Sequence, residues 1–130
     1  MPEKPICTAI VICDMVIEDK MTNNKTLVGL FNAITASELP IVFHRFFIFV
    51  TLTNTRGEIP VSFTISDPES QTVFKMEATI ESIGPLAVID LVVEVRDLPL
   101  QKAGVYMVDI QSCGEHLGNR RFHVFPPPKV

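Results

Sequence analysis

Few residues in this chain have the type and spacing that chemistry needs. The three histidines are His44, His116 and His123, and a metal site would require two or three imidazoles to converge with carboxylates or thiolates. Cys113 and His116 have the spacing of a ligand pair, but the glycine after Cys113 favours a tight hairpin at this point. We therefore predict no metal ligand and no cofactor.

Motifs of catalysis are also missing from the sequence. It contains no nucleophile elbow (G-x-S-x-G), no phosphate-binding loop, no G-x-G-x-x-G and no H-E-x-x-H. We predict no catalytic residue and a protein that is not an enzyme. The alternative is an enzyme or small-ligand binder whose polar groups, for example Asp14, His44 and Arg45, meet only in three dimensions.

Carboxylates gather near the end of one predicted strand, at Asp14, Glu18 and Asp19. Calcium sites in β-sandwiches use loop carboxylates, but they need further oxygen ligands, and the sequence has no D-x-D-x-D-G loop. Ordinary solvation of a loop is the favoured interpretation.

Length and composition predict one folded unit. A chain of 130 residues with 47% hydrophobic and 20% charged residues has the balance of a single globular domain, here residues 1–130 with a proline-rich tail at 126–130. A formal net charge of −4 argues against nucleic acid as a partner, because phosphates are not attracted to it. No apolar run approaches the ~20 residues that would cross a bilayer, so no membrane partner is expected.

The cysteines and the N-terminus indicate a cytoplasmic protein. Cys7, Cys13 and Cys113 are an odd number without paired-ligand spacing, and in a reducing compartment they serve most simply as small buried apolar residues. The apolar stretch 6–11 follows a single lysine and precedes Asp14, which is not the pattern of a signal peptide. We expect the mature N-terminus to begin the fold.

Period-two alternation of apolar and polar residues dominates the chain, and helical periodicity is weak. Runs rich in Val, Ile, Phe and Thr recur, and each ends at Gly, Pro, Asn or Asp. The pattern predicts an all-β, immunoglobulin-like sandwich of two antiparallel sheets with seven or eight strands. The eight candidate strands cover residues 6–17, 26–34, 41–53, 59–66, 72–80, 86–96, 104–111 and 116–125.

The predicted strand 41–53 is apolar on both faces, whereas a two-layer sandwich covers only one face of each sheet. Its even-numbered face is aliphatic through Leu52, so we assign that face to the core: Val42, His44, Phe46, Ile48, Val50 and Leu52. The odd-numbered face then points outward with three phenylalanines, which represent roughly 450–750 Å² of apolar surface. A typical monomer tolerates a patch of about 300–600 Å². The candidate interface is Ile41, Phe43, Arg45, Phe47 and Phe49.

A homo-oligomer interface, or a surface for a protein partner, is the leading interpretation of this odd-numbered face. A long loop, such as 18–25 or 37–40, that folds over the phenylalanines is one alternative, and a ligand groove is another. The predicted function is therefore a non-enzymatic protein-binding or assembly module that self-associates through an apolar sheet face. A structural component of a phage or virion is a further alternative, which rests on fold analogy.

The segment from Gly104 to Val108 resembles the start of the penultimate strand in immunoglobulin-like folds. There a Gly-x-Tyr places a tyrosine at a corner, and its hydroxyl bonds back to the preceding loop. The resemblance implies that Gly104 and Tyr106 form a structural tyrosine corner. Val108 stands where such folds have a disulfide cysteine, and the chain has no tryptophan, so the resemblance is to the disulfide-free sandwich.

Residues 26–34 and the pair Leu39-Pro40, together with this Gly-x-Tyr hairpin, resemble an uncharacterised bacterial family. That family is a domain of unknown function with an immunoglobulin-like sandwich. The resemblance implies a fold over nearly the whole chain and no activity.

Overall fold

Nine β-strands make up the regular structure of residues 4–128, the part of the chain that the computed structural model describes. The all-β prediction is confirmed, and none of these residues belongs to a helix long and apolar enough to span a membrane. Residues 1–3 and 129–130, including the end of the predicted proline-rich tail, lie outside the described residues. The strands are β1 (Ile6–Glu18), β2 (Lys25–Leu30), β3 (Ala33–Thr35), β4 (Ile41–Thr53), β5 (Gly57–Ser66), β6 (Thr72–Ser82), β7 (Ile89–Leu100), β8 (Gly104–Ser112) and β9 (Glu115–Phe125).

The strands form two sheets that pack face to face, as the sequence predicts. One sheet has the order β2-β1-β4-β7 and the other has the order β3-β9-β8-β5-β6. β3 runs parallel to β9, and the other strand pairs are antiparallel. The immunoglobulin-like sandwich is therefore confirmed, with nine strands in the described region instead of seven or eight.

The additional strand arises because the predicted strand 26–34 is divided between the two sheets. β2 ends beside β1, where the Phe31 amide donates a hydrogen bond to the Ile12 carbonyl at 3.1 Å. The chain then crosses to the second sheet, where the Asn32 carbonyl accepts a hydrogen bond from the His123 amide at 2.8 Å. One predicted strand thus becomes β2 in the first sheet and β3 in the second.

The side chains that face each other across the two sheets form a continuous buried core. The assignment of the even-numbered face of β4 to this core is confirmed from Phe46 to Leu52. Val42 and His44 are exposed, so their assignment to the core is wrong. The buried residues of β4 are Phe46, Ile48, Val50 and Leu52.

Tyr106, near the start of β8, closes one end of the core. Its ring is buried and stacks on Phe122 with the centroids 5.3 Å apart, and its hydroxyl donates a hydrogen bond to the Lys102 carbonyl at 2.8 Å. Burial raises the pKa of the Tyr106 phenol. Gly104 has a φ of 135°, and a Cβ there would lie 2.7 Å from Pro68 Cγ, so this corner requires glycine.

Arg120 of β9 links the two sheets at their edge. Its Nη1 donates a hydrogen bond to the Ile10 carbonyl of β1 at 3.2 Å, and its Nη2 donates to Asn32 Oδ1 at 2.6 Å. The guanidinium thereby joins the first sheet, the second sheet and the segment that crosses between them.

Candidate docking surface

The side-chain alternation of β4 breaks between Phe43 and Phe46. Phe43 lies opposite Leu98 of β7, a core residue, and its ring centroid is 5.8 Å from that of buried Phe46. Between them His44 and Arg45 are both exposed. Because cross-strand neighbours share a face, two consecutive outward residues shift the alternation by one position.

The five residues of the predicted interface therefore lie on two faces. Ile41 and Phe43 pack against the core, whereas Arg45, Phe47 and Phe49 point outward. The partner strand shows the same break at Arg96 and Asp97, where Asp97 has a φ of 51°. Non-glycine residues seldom adopt this left-handed conformation. The alternation of apolar and polar residues in the sequence therefore does not indicate the break in either strand.

The β1–β2 hairpin folds back across the outer face of its own sheet. Lys25 Nζ lies 3.8 Å from Asp90 Oδ2 of β7 and 3.5 Å from Glu18 Oε2 of β1. The pairing between β1 and β4 ends at Cys13, opposite Phe47. If β1 and β2 continued straight from there, Lys25 would lie about 30 Å from Asp90, because each residue of a strand adds ~3.3 Å. The ion pair forms only because residues 14–30 reverse direction and lie over the sheet.

The bend that permits this reversal lies at Asp14 and Gly29. The β1–β2 pairing runs from Cys13–Leu30 directly to Met15–Val28 and omits the pair between them. Gly29 has a φ of 71°, and a Cβ at that position would collide with the Asp14 carboxylate. Glycine is required here because both the conformation and the close approach exclude a side chain.

The inner side of the hairpin covers the outward phenylalanines. Val16 and Leu27 are half-buried cross-strand neighbours on the side that carries Lys25 toward Asp90. Beneath them Phe47 and Phe49 are half-buried, and Cys13 is 0% exposed although it lies outside the main core. The apolar face of β4 is thus largely covered by the chain itself.

The outer side of the hairpin remains open to solvent. Met15, Ile17 and Val28 alternate with the covered residues and are 44%, 49% and 41% exposed. Met21 at the tip and Leu30 at the base are also exposed. An exposed apolar cluster of this kind is typical of a protein-interaction surface.

Among the four sheet-edge strands of residues 4–128, β2 combines more than minimal length with few charges, and it is the least protected. Sheet edges are commonly protected from other strands by charged side chains, prolines or short length. β3 has only three residues, β6 carries Lys75, Glu77 and Glu81, and β7 carries four charged residues and a proline. The one charged residue of β2 is Lys25, which is held in the two ion pairs described above.

The polar residues proposed to meet in three dimensions do not meet: Arg45 and Asp14 have separate neighbours, and His44 is exposed. Arg45 lies 3.9 Å from Glu94, its guanidinium carbon is 5.6 Å from the Phe47 ring centroid, and Asp14 packs against Gly29. Among residues 4–128 no hydrogen bond or ion pair joins Asp14, His44 and Arg45, and no three side chains of metal-ligating type converge.

Two of the remaining chemical candidates have structural roles. Asp19 Oδ1 accepts hydrogen bonds from the Met21 and Thr22 amides at 2.7 and 3.2 Å, which holds the hairpin tip. His116 Nε2 lies 3.1 Å from Asp109 Oδ1 across the β8–β9 hairpin.

A cleft of about 480 Å³ lies beside the Cys113 turn, on the outer surface of β5 and β6.

The cysteines occupy three different environments. Cys13 is buried beneath the hairpin, Cys7 is half-buried against the core, and burial raises the pKa of both thiols. Cys113 is exposed in a turn, so the expectation of three buried apolar cysteines is wrong for this residue. Turn residues project outward, which a count of cysteines does not reveal.

Sequence reasoning missed the outer side of the hairpin. Residues 6–17 and 26–34 alternate well enough to be predicted as strands, but alternation does not show where a strand bends. Gly29, inside an otherwise apolar run, was the available signal, since an isolated glycine in a strand often marks a bulge or a close approach of backbone.

The order of the two sheets and the tyrosine at the start of β8 define an immunoglobulin-like β-sandwich protein. More specifically, the chain belongs to a family of unknown function, DUF6941, whose model matches residues 8–125. No curated protein matches the chain.

The solved structures that are similar to the chain include two Pseudomonas proteins. One is a Pseudomonas fluorescens alkylpurine DNA glycosylase, AlkC, bound to DNA containing an abasic site analogue; it is 14% identical, and the match covers 92% of this chain with a TM-score of 0.52. The chain spans only 30% of that glycosylase. The other is an immunoglobulin-like protein from Pseudomonas aeruginosa, which is 12% identical with a TM-score of 0.46 over 95% of this chain and 98% of that one.

Proposed function

We propose that the chain is a non-enzymatic assembly module that self-associates through the outer side of its β1–β2 hairpin. The kind of function is the one expected from the sequence, but the contact surface moves from β4 to the hairpin that covers β4. The observation that carries the proposal is the exposed apolar trio Met15, Ile17 and Val28. It lies along the edge strand β2, whose one charged residue is held in ion pairs.

A second copy of the chain fits this surface for two reasons. An isologous contact brings the same patch from both copies together, so an apolar trio meets an apolar trio. The paired Lys25 is already neutralised by Asp90 and Glu18, so β2 brings no unpaired charge to a twofold contact. Met21 and Leu30, at the two ends of the hairpin, extend the apolar area toward the ~800 Å² per partner of a standard interface.

The test is the solution mass of the wild type and of two matched variants, measured by sedimentation equilibrium from micromolar to near-millimolar concentration. Val28→Glu is expected to give a monomer, because a carboxylate would be buried in the contact. Val105→Glu is the control, because Val105 is 43% exposed against 41% for Val28 and lies on the outer face of the other sheet, opposite His123. This control is expected to leave the mass unchanged.

A wild-type monomer over the whole concentration range would contradict the proposal. Equal loss of assembly in Val28→Glu and Val105→Glu would also contradict it, since the hairpin would then have no special part in association.

Other functions receive less support from the described residues. A ligand-binding or enzymatic role would need converging polar groups, and Asp14 and Arg45 have separate partners. Nucleic acid stays outside the proposal, although one similar structure is described as bound to DNA, because the formal net charge is −4 and 14% identity supports the fold alone. A bacterial, cytoplasmic setting remains an expectation, and a phage or virion role remains an alternative that rests on fold analogy.

A further inference from the structure

We infer that the β1–β2 hairpin is a hinged strap, in which residues 14–29 open and close as a unit about Asp14 and Gly29 while the sandwich beneath stays folded. The inference goes beyond self-association and does not depend on it. The open strap would expose Phe47 and Phe49, the outward phenylalanines of β4.

The contacts that hold the strap closed are weaker than those that hold the sandwich. Its long-range ion pair joins Lys25 and Asp90, whose side chains are 21% and 39% exposed. A solvent-accessible ion pair of this kind shifts an equilibrium by about two- to fivefold. The inner residues Val16 and Leu27 are only half-buried. A two-stranded hairpin is marginally stable on its own, so this element belongs to the least stable part of the structure.

The hinge is defined by the one place where the ladder between β1 and β2 is interrupted. Asp14 and Gly29 are not paired in the strand register, whereas the residues on either side of them are. The left-handed φ of Gly29, 71°, is needed only while the strap is bent over the sheet. In an open hairpin Gly29 would take the ordinary extended conformation.

Cys13 provides a built-in reporter of opening. It precedes the hinge, lies opposite Phe47 on the outer face and is 0% exposed. Burial also raises the pKa of its thiol, which suppresses the reactive thiolate while the strap is closed. Opening would admit both solvent and a thiol reagent.

The experiment measures the rate at which Cys13 reacts with a thiol reagent under native conditions. A Cys7→Ala/Cys113→Ser background leaves Cys13 as the only thiol. The rate is measured across low urea concentrations, and its urea dependence is compared with that of global unfolding. Strap opening predicts labelling well before global unfolding and a much shallower urea dependence, because little surface is exposed.

Three variants locate the hinge. Gly29→Ala is expected to raise the labelling rate about tenfold, because a non-glycine residue in the left-handed region is strained only in the closed form. The double variant Asp14→Ala/Gly29→Ala is expected to label more slowly than Gly29→Ala alone, because it lacks the carboxylate with which the new Cβ collides. Asp90→Ala, which leaves the hinge intact, is expected to raise the rate about two- to fivefold.

Gly114→Ala is the matched glycine control, because Gly114 has a φ of 79° in the β8–β9 turn and a Cβ there would meet nothing within 4 Å. It is expected to leave Cys13 labelling unchanged. A labelling rate that follows global unfolding at every urea concentration, with equal responses to Gly29→Ala and Gly114→Ala, would overturn the strap.

Discussion

Phe43 and Phe47 stand four residues apart on β4 and lie on opposite faces of its sheet. Phe43 packs against the core, with its ring centroid 5.8 Å from that of Phe46, whereas Phe47 lies opposite Cys13 on the outer side. Regular alternation would place them on the same face. The shift at His44 and Arg45 therefore separates an aromatic residue that packs against the core from one that lies under the hairpin.

Alanine substitution is expected to separate these two roles. Phe43→Ala should lower the free energy of unfolding by about 3 kcal/mol, since it leaves a cavity beside Phe31 and Phe46. Phe47→Ala should cost about 1 kcal/mol, because Phe47 lies under the hairpin, which is able to settle over the smaller side chain, whereas Phe43 packs against the fixed rings of the core. Urea denaturation of both variants measures the difference, and equal losses would place both rings in the same environment.

The Arg120 bridge between the sheets predicts a contrast with its neighbour. Arg120→Ala removes donors to the Ile10 carbonyl and Asn32 Oδ1, so we expect a loss of about 2 kcal/mol in the free energy of unfolding. Arg121→Ala is the matched control, because Arg121 is exposed, and its effect should stay within about 0.5 kcal/mol. A similar small effect for both arginines in thermal or urea unfolding would show that the bridge contributes little.

The tyrosine corner predicts a dependence of stability on alkaline pH. Tyr106→Phe removes the hydrogen bond to the Lys102 carbonyl and should cost about 1 kcal/mol at neutral pH. Burial raises the pKa of Tyr106 in the folded state above its ordinary value near 10. The unfolded chain therefore loses this proton first, and the contribution of the phenol is complete below pH 10 and is lost as the pH rises above that value.

Wild type and Tyr106→Phe should accordingly converge in stability above pH 10. Urea denaturation of both proteins between neutral pH and pH 11 tests this, since every other titrating group is shared and cancels in the comparison. A constant difference over that range would mean that Tyr106 stays un-ionised equally in both states.

The strand content was predictable from the sequence because local alternation and turn residues specify strands directly. The strand predicted at 41–53 has the bounds of β4, Ile41–Thr53, and the segment 116–125 falls within β9, Glu115–Phe125. The change of sheet after β2 was not predictable, because it depends on hydrogen bonds of Phe31 and Asn32 to residues distant in the sequence. Alternation reports which side chains differ in exposure but not which sheet a strand joins.

The candidate surface was predictable only in part. Two apolar faces on one strand correctly indicated that something must cover the outer one, and a fold-back of the chain near residues 18–25 was among the alternatives. The covering element is a hairpin whose tip is that loop, held by Lys25 and Asp90, and no local pattern relates these two residues. Whether the protein self-associates stays a prediction, now directed at Met15, Ile17 and Val28.

The hairpin leaves and rejoins the sandwich at a single point, because Cys13 and Leu30 are cross-strand neighbours. Cross-strand neighbours have Cβ atoms only about 5 Å apart, so a short turn between these two positions would close the chain without rerouting any other strand. A family member that lacked this excursion would keep the same core but leave the positions of Phe47 and Phe49 bare to water. Hairpin length and the polarity of those two positions are therefore expected to vary together among relatives.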